Sequence, residues 1–366
     1  MRFRSLGLAV GVAGLVAGAT AAGAAAASAA PAAPSWHVSD TVSSGDTGGF
    51  SAVVASSKTS GWAFDGFAAP KGPAAYKWNG ATWTKVAFPG KANEEVAAAA
   101  AASPTDVWAA DDNIFDTSSR LIQWNGHKWT AVKSFAAGIG GISVVTANNV
   151  WVFGFGSSPG IPSLGVWHWN GSKWAHVSTT LQGGSALAWN NVWAYGGTSV
   201  DHWNGGKWTS TSVKSLLPAA LKTHLNDPTV TGILALSASN VYAVGNGNLE
   251  DEGGPTVVLH YNGHAWSKVA SGQFGLGAGQ QLSSDGSGGL WLPMPGVDGQ
   301  SSFVVHYSAG KLTKAALPIA AAKIYVGAIA RIPGTTDQLA GGNSHTAGTD
   351  GSGVTGIVLE YSTPAT

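Results

Sequence analysis

Apolar and polar positions alternate along this chain in one eight-residue pattern that returns at intervals. The first copy is Tyr76-Lys-Trp-Asn-Gly-Ala-Thr-Trp83, in which aromatic residues alternate with polar ones before an Asn-Gly pair. Further copies span residues 122–129, 167–174, 201–208 and 259–266, and weaker copies span 305–312 and 359–362. Asn-Gly between alternating apolar residues predicts a β-hairpin with a type I′ turn. With a two-residue turn at Asn79-Gly80, Tyr76 should face Trp83 across the two strands.

A second pattern precedes each hairpin and consists of a polar turn followed by a short apolar segment, usually centred on an aromatic residue. Asp106-Val-Trp-Ala109 is typical, and the other copies span residues 60–63, 149–152, 191–194, 240–243, 289–292 and 337–340. A run of small apolar residues comes before it, as at 50–55 and 142–145. One unit is therefore strand a, a tight turn, strand b, a variable loop, strand c, Asn-Gly and strand d. Four antiparallel strands in about 45 residues are typical of a β-propeller blade.

The two ends of the repeat region complement each other. Residues 36–39 resemble a strand d without strands a to c, whereas residues 323–343 and 356–361 supply strands a, b and c without a strand d. We therefore expect an all-β, seven-bladed propeller of four-stranded antiparallel blades. Its ring should be closed by the N-terminal strand joining the last blade. Six blades with irregular ends are the alternative.

The chain contains 17 tryptophans, many of them at fixed positions of the repeat. Sugar-binding tryptophans would be one explanation. A tryptophan at a constant repeat position more commonly packs between blades, where aromatic cross-strand pairs also stabilise the hairpins. We expect the repeated tryptophans, including Trp78 and Trp124, to form the inter-blade core.

The N-terminal residues have the features of an export signal. Met1-Arg-Phe-Arg4 is basic, residues 6–16 are apolar, and residues 27–30 form a small-residue cleavage region. The expected organisation is a signal peptide at 1–30, a linker at 31–35 and a seven-bladed propeller at 36–366. We therefore expect a secreted, extracellular protein, the alternative being an uncleaved N-terminal anchor. No later apolar run approaches the roughly 20 residues that span a bilayer.

Composition excludes several functions. The chain has no cysteine, so disulfides, thiol catalysis and cysteine metal sites are absent. Its 19 basic and 19 acidic side chains balance, and no basic region indicates nucleic-acid binding. We expect a monomer without a cofactor, although calcium is possible at the acidic loops.

Loops on a rigid scaffold carry function more often than the scaffold itself. In a propeller the b–c and d–a loops share one rim, and most of the clustered acidity falls there. We predict that this rim binds a glycan or a protein without catalysis. The alternative is a glycan hydrolase or lyase that uses two rim carboxylates. The predicted ligand-binding residues are Asp65, Asp111, Asp112, Asn113, Asp116, Glu250, Asp251, Glu252, Asp298, His345 and Asp350.

Four histidines occupy one repeat position in strand c, just before its aromatic residue. A zinc or copper cluster is one interpretation. Because Lys77, Gln123 and Glu360 replace them in other copies, we instead expect a hydrogen-bonding position between blades. The four are His168, His202, His260 and His306.

The repeats resemble secreted bacterial propellers of the kelch/galactose-oxidase and Asp-box (BNR) families. Gly80-Ala-Thr-Trp83 matches the end of an Asp-box, although the aspartate that should precede it is missing, and Gly196-Gly197 and Gly341-Gly342 match the kelch glycine pair. The resemblance implies sialidase or galactose-oxidase chemistry as candidates. Sialidases of this kind use three arginines, but only Arg120 and Arg331 follow the signal segment. Galactose oxidase requires a cysteine. Both activities are therefore disfavoured.

Overall fold

The computed structural model describes residues 33–43, 49–66, 72–113, 117–154, 163–219, 228–247, 255–274, 281–294, 302–318, 322–346 and 354–363. Seven four-stranded antiparallel sheets form the fold, which confirms the predicted seven-bladed propeller. Within the described residues one 3₁₀ turn, Lys214–Leu216, is the sole helical element. None of these residues forms a helix with the length and apolarity needed to cross a membrane.

Each blade runs from an innermost strand a to an outermost strand d, and neighbouring blades meet along their a strands. Blade 1 contains β2 (Phe50–Ser57), β3 (Ser60–Asp65), β4 (Ala74–Trp78) and β5 (Trp83–Val86). Blade 2 contains β6 (Glu94–Ser103), β7 (Asp106–Asn113), β8 (Ser119–Trp124) and β9 (Trp129–Phe135). Blade 3 contains β10 (Gly141–Thr146), β11 (Asn149–Gly154), β12 (Gly165–Trp169) and β13 (Trp174–Ser178). Blade 4 contains β14 (Gly183–Ala188), β15 (Asn191–Gly196), β16 (Ser199–Trp203) and β17 (Trp208–Ser212). Blade 5 contains β18 (Thr229–Ser237), β19 (Asn240–Asn246), β20 (Pro255–Tyr261) and β21 (Trp266–Gln273). Blade 6 contains β22 (Ser283–Ser284), β23 (Leu290–Met294), β24 (Phe303–Ser308) and β25 (Lys311–Lys314).

Blade 7 joins the two ends of the repeat region. It consists of β26 (Ala322–Arg331), β27 (Gln338–Thr346), β28 (Val354–Ser362) and β1 (Ser35–Ser43), and β1 pairs antiparallel with β28 as its strand d. Trp36 of β1 is 5% exposed and packs edge-on against Trp291 of blade 6, with ring centroids 5.5 Å apart. The predicted ring closure by the N-terminal strand is therefore present, and an aromatic side chain anchors it to the neighbouring blade.

The core consists of seven apolar layers, one between each pair of adjacent blades. Trp62 of blade 1 is fully buried, and its ring lies 4.8 Å from that of Trp124 and 4.9 Å from that of Trp129 in blade 2. The ammonium group of Lys77 lies over the Trp62 and Trp124 rings at 5.7 and 5.2 Å. The expected core role of these repeated tryptophans is confirmed.

The predicted hairpin register is wrong by two residues. Trp78 pairs with Trp83, and Tyr76 pairs with Lys85, because the turn contains four residues rather than two. Asn79 Oδ1 accepts hydrogen bonds from the amides of residues 81 and 82 at 2.9 and 2.8 Å, and only Gly80 has a positive φ, of 99°. The asparagine side chain therefore closes a longer turn and removes the need for a type I′ conformation.

Candidate functional site

The structure describes five of the predicted ligand-binding residues, and they lie toward the rim formed by the b–c and d–a loops. Asp65 ends β3, residues 111–113 end β7, and His345 lies near the end of β27. The other six lie outside the described residues: Asp116, Glu250, Asp251, Glu252, Asp298 and Asp350.

Asp65 is only 1% exposed. Its Oδ1 accepts a hydrogen bond from the amide of Ala74 at 2.7 Å, and its Oδ2 accepts one from the Tyr76 hydroxyl at 3.2 Å. Burial raises the pKa of Asp65, and these two hydrogen bonds partly offset that rise. Burial and the nearby Asp65 carboxyl raise the pKa of Tyr76 as well. Asp65 thus ties strand b of blade 1 to strand c.

Asp111 belongs to a buried ionic cluster in blade 2. Its carboxyl group is 0% exposed and, together with Glu94, accepts hydrogen bonds from the guanidinium of Arg120. The same guanidinium also donates to the carbonyl of Pro89 at 3.0 Å. Burial, together with the adjacent Glu94, raises the pKa of Asp111 to about 8, although Arg120 acts in the opposite direction. Two carboxyl groups therefore share one cation in a nearly dry site.

Asp112 connects blade 2 to blade 3. It is 3% exposed, and its Oδ2 accepts a hydrogen bond from the amide of Ile139 at 2.7 Å, in the segment that enters β10. The three predicted aspartates Asp65, Asp111 and Asp112 are thus buried and hold loops of the fold through hydrogen bonds and an ion pair, and a ligand-binding role for them stays a prediction. Asn113 and His345 are the predicted residues that the structure leaves partly exposed.

A groove on this rim lies between the first and last blades. We call it the closure groove; its volume is about 370 Å³, and it is lined by Gly49, Phe50, Ser51, Tyr325, Gly327, Gly342, Asn343 and His345. Residues 49–51 enter strand a of blade 1, whereas the others belong to strands a and b of blade 7. Of the predicted site residues that the structure describes, His345 is the one that lines this groove.

Backbone irregularities and glycines shape the closure groove. Ser51 and Gly327 both sit at β-bulges, where the a-strand register shifts against strand b. A Cβ added to Gly342 would lie 1.8 Å from the carbonyl oxygen of Tyr325, so the two strands approach too closely there for a side chain. A Cβ added to Gly327 would meet nothing within 4 Å, because this position faces open groove. The bulges and glycines together bring the backbone to the groove surface.

Aromatic rings flank the groove. Tyr325 and His345 make an edge-to-face contact with ring centroids 5.2 Å apart, and both side chains are partly exposed. Phe50 is 3% exposed and packs edge-on against Tyr76 at 5.4 Å. The groove therefore has a firm apolar floor and a polar aromatic wall. Sequence reasoning missed Phe50 and Tyr325; the kelch-like pair Gly341-Gly342 was the one signal pointing to this place.

The repeated histidines of strand c are structural, but their hydrogen bonds stay within one blade rather than crossing between blades as expected. His168 Nε2 lies 3.0 Å from Asn149 Oδ1 at the start of strand b, and its ring stacks on Trp151 at 4.1 Å. Equivalent contacts join His202 to Asn191, His260 to Asn240 and His306 to Asp285, all at 2.9 Å. Burial lowers the pKa of His168, His202 and His260, which favours their neutral forms.

A second cavity of about 530 Å³ lies on the ring axis and is lined by residues from all seven blades. Gln281 of blade 6 extends across it, with its Nε2 3.4 Å from the carbonyl oxygen of Ala97 in blade 2. Ser143 and Ser185 use their hydroxyl oxygens to accept amide hydrogen bonds from the next blade, at 2.9 and 3.1 Å. These polar groups hold the ring together around its centre.

In the described part of the chain, no group of three or more histidine, aspartate or glutamate side chains has the geometry to hold a metal ion. Glu94 and Asp111, two described carboxyl groups on this rim, both form ion pairs with Arg120. The possible calcium site remains a prediction for the loops outside the described residues.

Comparison with known proteins identifies similar folds without a family. No family model matches the chain, and no curated protein matches it. Among solved structures, YCF48 bound to a D1 peptide is 11% identical with a TM-score of 0.55, and the match covers 92% of this chain and 100% of that one. These values establish the fold alone.

Two further neighbours are equally distant in sequence. The WD40 repeats of RRP9 are 12% identical with a TM-score of 0.56, over 91% of this chain and 99% of that one. The extracellular domain of the one-component system BT4673 from B. thetaiotaomicron is 12% identical with a TM-score of 0.56, over 88% of this chain and 40% of that one. The propeller architecture is thus shared with proteins of different kinds, and the resemblance to kelch and Asp-box families stays a prediction.

Proposed function

We propose that this chain is a non-enzymatic recognition module that binds an extended segment of a partner protein in the closure groove. The observation that carries the proposal is the groove of about 370 Å³ between blades 7 and 1. Concave, largely apolar sites with a few placed polar groups are typical of ligand binding. Here Tyr325, Asn343 and His345 supply the polar groups, and Phe50 supplies part of the apolar floor.

The backbone of the groove favours an extended peptide as the ligand. The bulged residues Ser51 and Gly327 interrupt the strand ladder, and a bulged residue can offer its main-chain groups to a bound chain. Peptides that add to such backbone gain affinity from main-chain hydrogen bonds and specificity from side-chain pockets. The peptide-bound neighbour YCF48 supports this class of ligand by analogy of fold.

We also propose that the protein acts outside the cell, on the basis of the signal-like segment at residues 1–30. The partner would then be an extracellular or cell-surface protein, bound by a monomer that needs no cofactor. Detection of the mature protein in the culture medium, beginning near residue 31, would test this part separately.

The groove is tested by filling it. A peptide-display library selected on the purified protein supplies a binding peptide, whose affinity is then measured by isothermal titration calorimetry. Gly327→Leu should weaken binding at least tenfold without lowering stability, because a side chain at this position meets open space. His345→Ala should also weaken binding, because it removes one wall.

Gly141→Leu is the matched control. Gly141 likewise lies in an a strand and has nothing within 4 Å of an added Cβ, but it lines the axial cavity instead of the groove. Unchanged affinity in this variant and loss in Gly327→Leu support the proposal. Equal effects of the two substitutions, or no selected peptide alongside a hit on a parallel glycan array, would reject a protein ligand.

A further inference from the structure

The rim opposite the closure groove is made by the a–b and c–d turns, and it carries cations in three consecutive blades. Lys128, Lys173 and Lys207 occupy the same position of the Asn-Gly-x-Lys turn in blades 2, 3 and 4, and all three are exposed. None of their ammonium groups forms an ion pair with a described residue. Their charges are therefore available to a partner.

The turns fix the backbone that carries these lysines. In each turn the asparagine Oδ1 accepts a hydrogen bond from the amide of the lysine at 3.0 Å, and the glycine has a φ between 89° and 96°. The turn itself does not require lysine, because Thr82 and Ala265 take the same position in blades 1 and 5. Three lysines on turns of the same structure thus follow one another around the rim, and the fold does not require lysine at this position.

An exposed tryptophan adjoins them. Trp189, in the a–b turn of blade 4, is 58% exposed, and its ring rests on the c–d turn at Gly205, two residues before Lys207. Its carbonyl oxygen accepts a hydrogen bond from Trp203 Nε1 at 3.1 Å, so the turn is anchored. The corresponding position in blades 1, 2, 3 and 5 holds Lys58, Pro104, Ala147 and Ala238. A tryptophan is therefore not needed to form this turn.

The described a–b and c–d turns of blades 2 to 4 expose little negative charge. Among the described residues of blades 2 to 4, Asp106 is the carboxyl group at these turns, and it is 7% exposed. Its Oδ1 accepts hydrogen bonds from Trp108 Nε1 at 2.9 Å and Gln123 Nε2 at 2.8 Å. The surface formed by Trp189, Lys128, Lys173 and Lys207, which we call the turn face, is consequently cationic with one flat apolar ring.

We propose that the turn face binds an acidic polysaccharide. A polymer that carries many negative groups can contact cations on several blades at once, and the exposed indole offers a flat surface to one face of a pyranose ring. No strongly basic region, the usual mark of a nucleic-acid-binding domain, occurs in the sequence, so single-stranded DNA serves as a competing ligand in the test below. Because the lysines are exposed, the attraction should weaken as salt screens it. This site is separate from the closure groove and does not depend on it.

The experiment uses the purified protein and polygalacturonate of defined length, with neutral dextran as the uncharged comparison. Wild-type protein should bind polygalacturonate and not dextran, and raising the salt concentration from 50 to about 300 mM should weaken binding severalfold. The triple variant K128Q/K173Q/K207Q should lose at least tenfold in affinity. Trp189→Ala should weaken binding severalfold at every salt concentration, because stacking is not screened.

A triple variant with the same charge change elsewhere is the control. K214Q/K268Q/K323Q removes three exposed lysines that lie outside the a–b and c–d turns, and it should bind like wild type. Equal loss in the control would show unspecific attraction and reject the turn face. Absence of wild-type binding, or stronger binding to single-stranded DNA or anionic vesicles than to polygalacturonate, would also overturn the proposal.

Discussion

Replacing Trp124 by alanine tests whether the layers between blades supply the stability of the ring. Trp124 is 5% exposed and packs on Trp62 and Trp129, with ring centroids 4.8 Å apart for the first pair and 5.8 Å for the second. A buried indole removes roughly 150–250 Å² from water, which corresponds to about 4–6 kcal/mol at 25 cal/mol per Å². Measured large-to-small substitutions of this kind cost about 3–5 kcal/mol. We therefore expect Trp124→Ala to destabilise the protein by about 3–5 kcal/mol.

The assay is equilibrium unfolding in urea, followed by tryptophan fluorescence and circular dichroism together. Trp189→Ala is the matched control, since it makes the same chemical change at a side chain that is 58% exposed and should alter stability by no more than about 0.5 kcal/mol. Trp124→Phe should cost less than Trp124→Ala, because the indole Nε1 is buried without a hydrogen-bond partner among the described residues. If Trp124→Ala and Trp189→Ala had similar effects, the inter-blade layer could not be the source of stability argued above.

Two further predictions concern the buried carboxyl group and the closing strand. The pKa of Asp111 is raised in the folded protein from 3.8 to about 8, so between these values the folded state holds a proton that the unfolded chain releases. The stability that this group contributes is present at low pH and is lost as pH rises through that window. Asp111→Asn should therefore reduce the difference between the unfolding free energies measured at pH 5 and pH 8. Parallel pH profiles for the variant and the wild type would contradict the assignment. Trp36→Ala should lower the free energy of unfolding in urea by about 3–5 kcal/mol. It should also speed proteolysis within blade 7, because Trp36 anchors β1 to Trp291. Unchanged cleavage would show that ring closure does not depend on this side chain.

The repeat made the architecture predictable from the sequence. A propeller blade has a fixed order of strands and turns, so Asp106-Val-Trp-Ala109 and its copies locate strand b, and the Asn-Gly copies locate the c–d turn. The closing strand was also predictable, because a strand d at residue 36 and an incomplete last blade complement each other. Local patterns sufficed because each blade is built mainly from contacts between neighbouring strands.

The turn register was not predictable from the Asn-Gly pair alone. A type I′ turn and the observed four-residue turn both place glycine at a positive φ, and they differ in whether the asparagine side chain closes the loop. Asn79 does so through two amide hydrogen bonds. The choice depends on the hydrogen bonds of one side chain, which the alternation of apolar residues does not encode.

The candidate site was predictable only in part. The sequence placed Asp111 and Asp112 at a loop, where acidic residues are usually solvated, but Arg120 and the Ile139 amide draw them inside. Apart from the Gly341-Gly342 pair, no local pattern indicated the closure groove, because Phe50 and Tyr325 are separated by most of the chain. Among the predicted residues that the structure describes, Asn113 and His345 are the ones that remain partly exposed.

The location of the closure groove has a consequence for the order of assembly. Its two walls come from residues 49–51 and 325–345, which meet only when blade 7 lies against blade 1. Six blades could be complete while this surface did not yet exist. A ligand that binds the groove would therefore bind molecules with a closed ring and not molecules with an open one, although the two have nearly identical secondary structure.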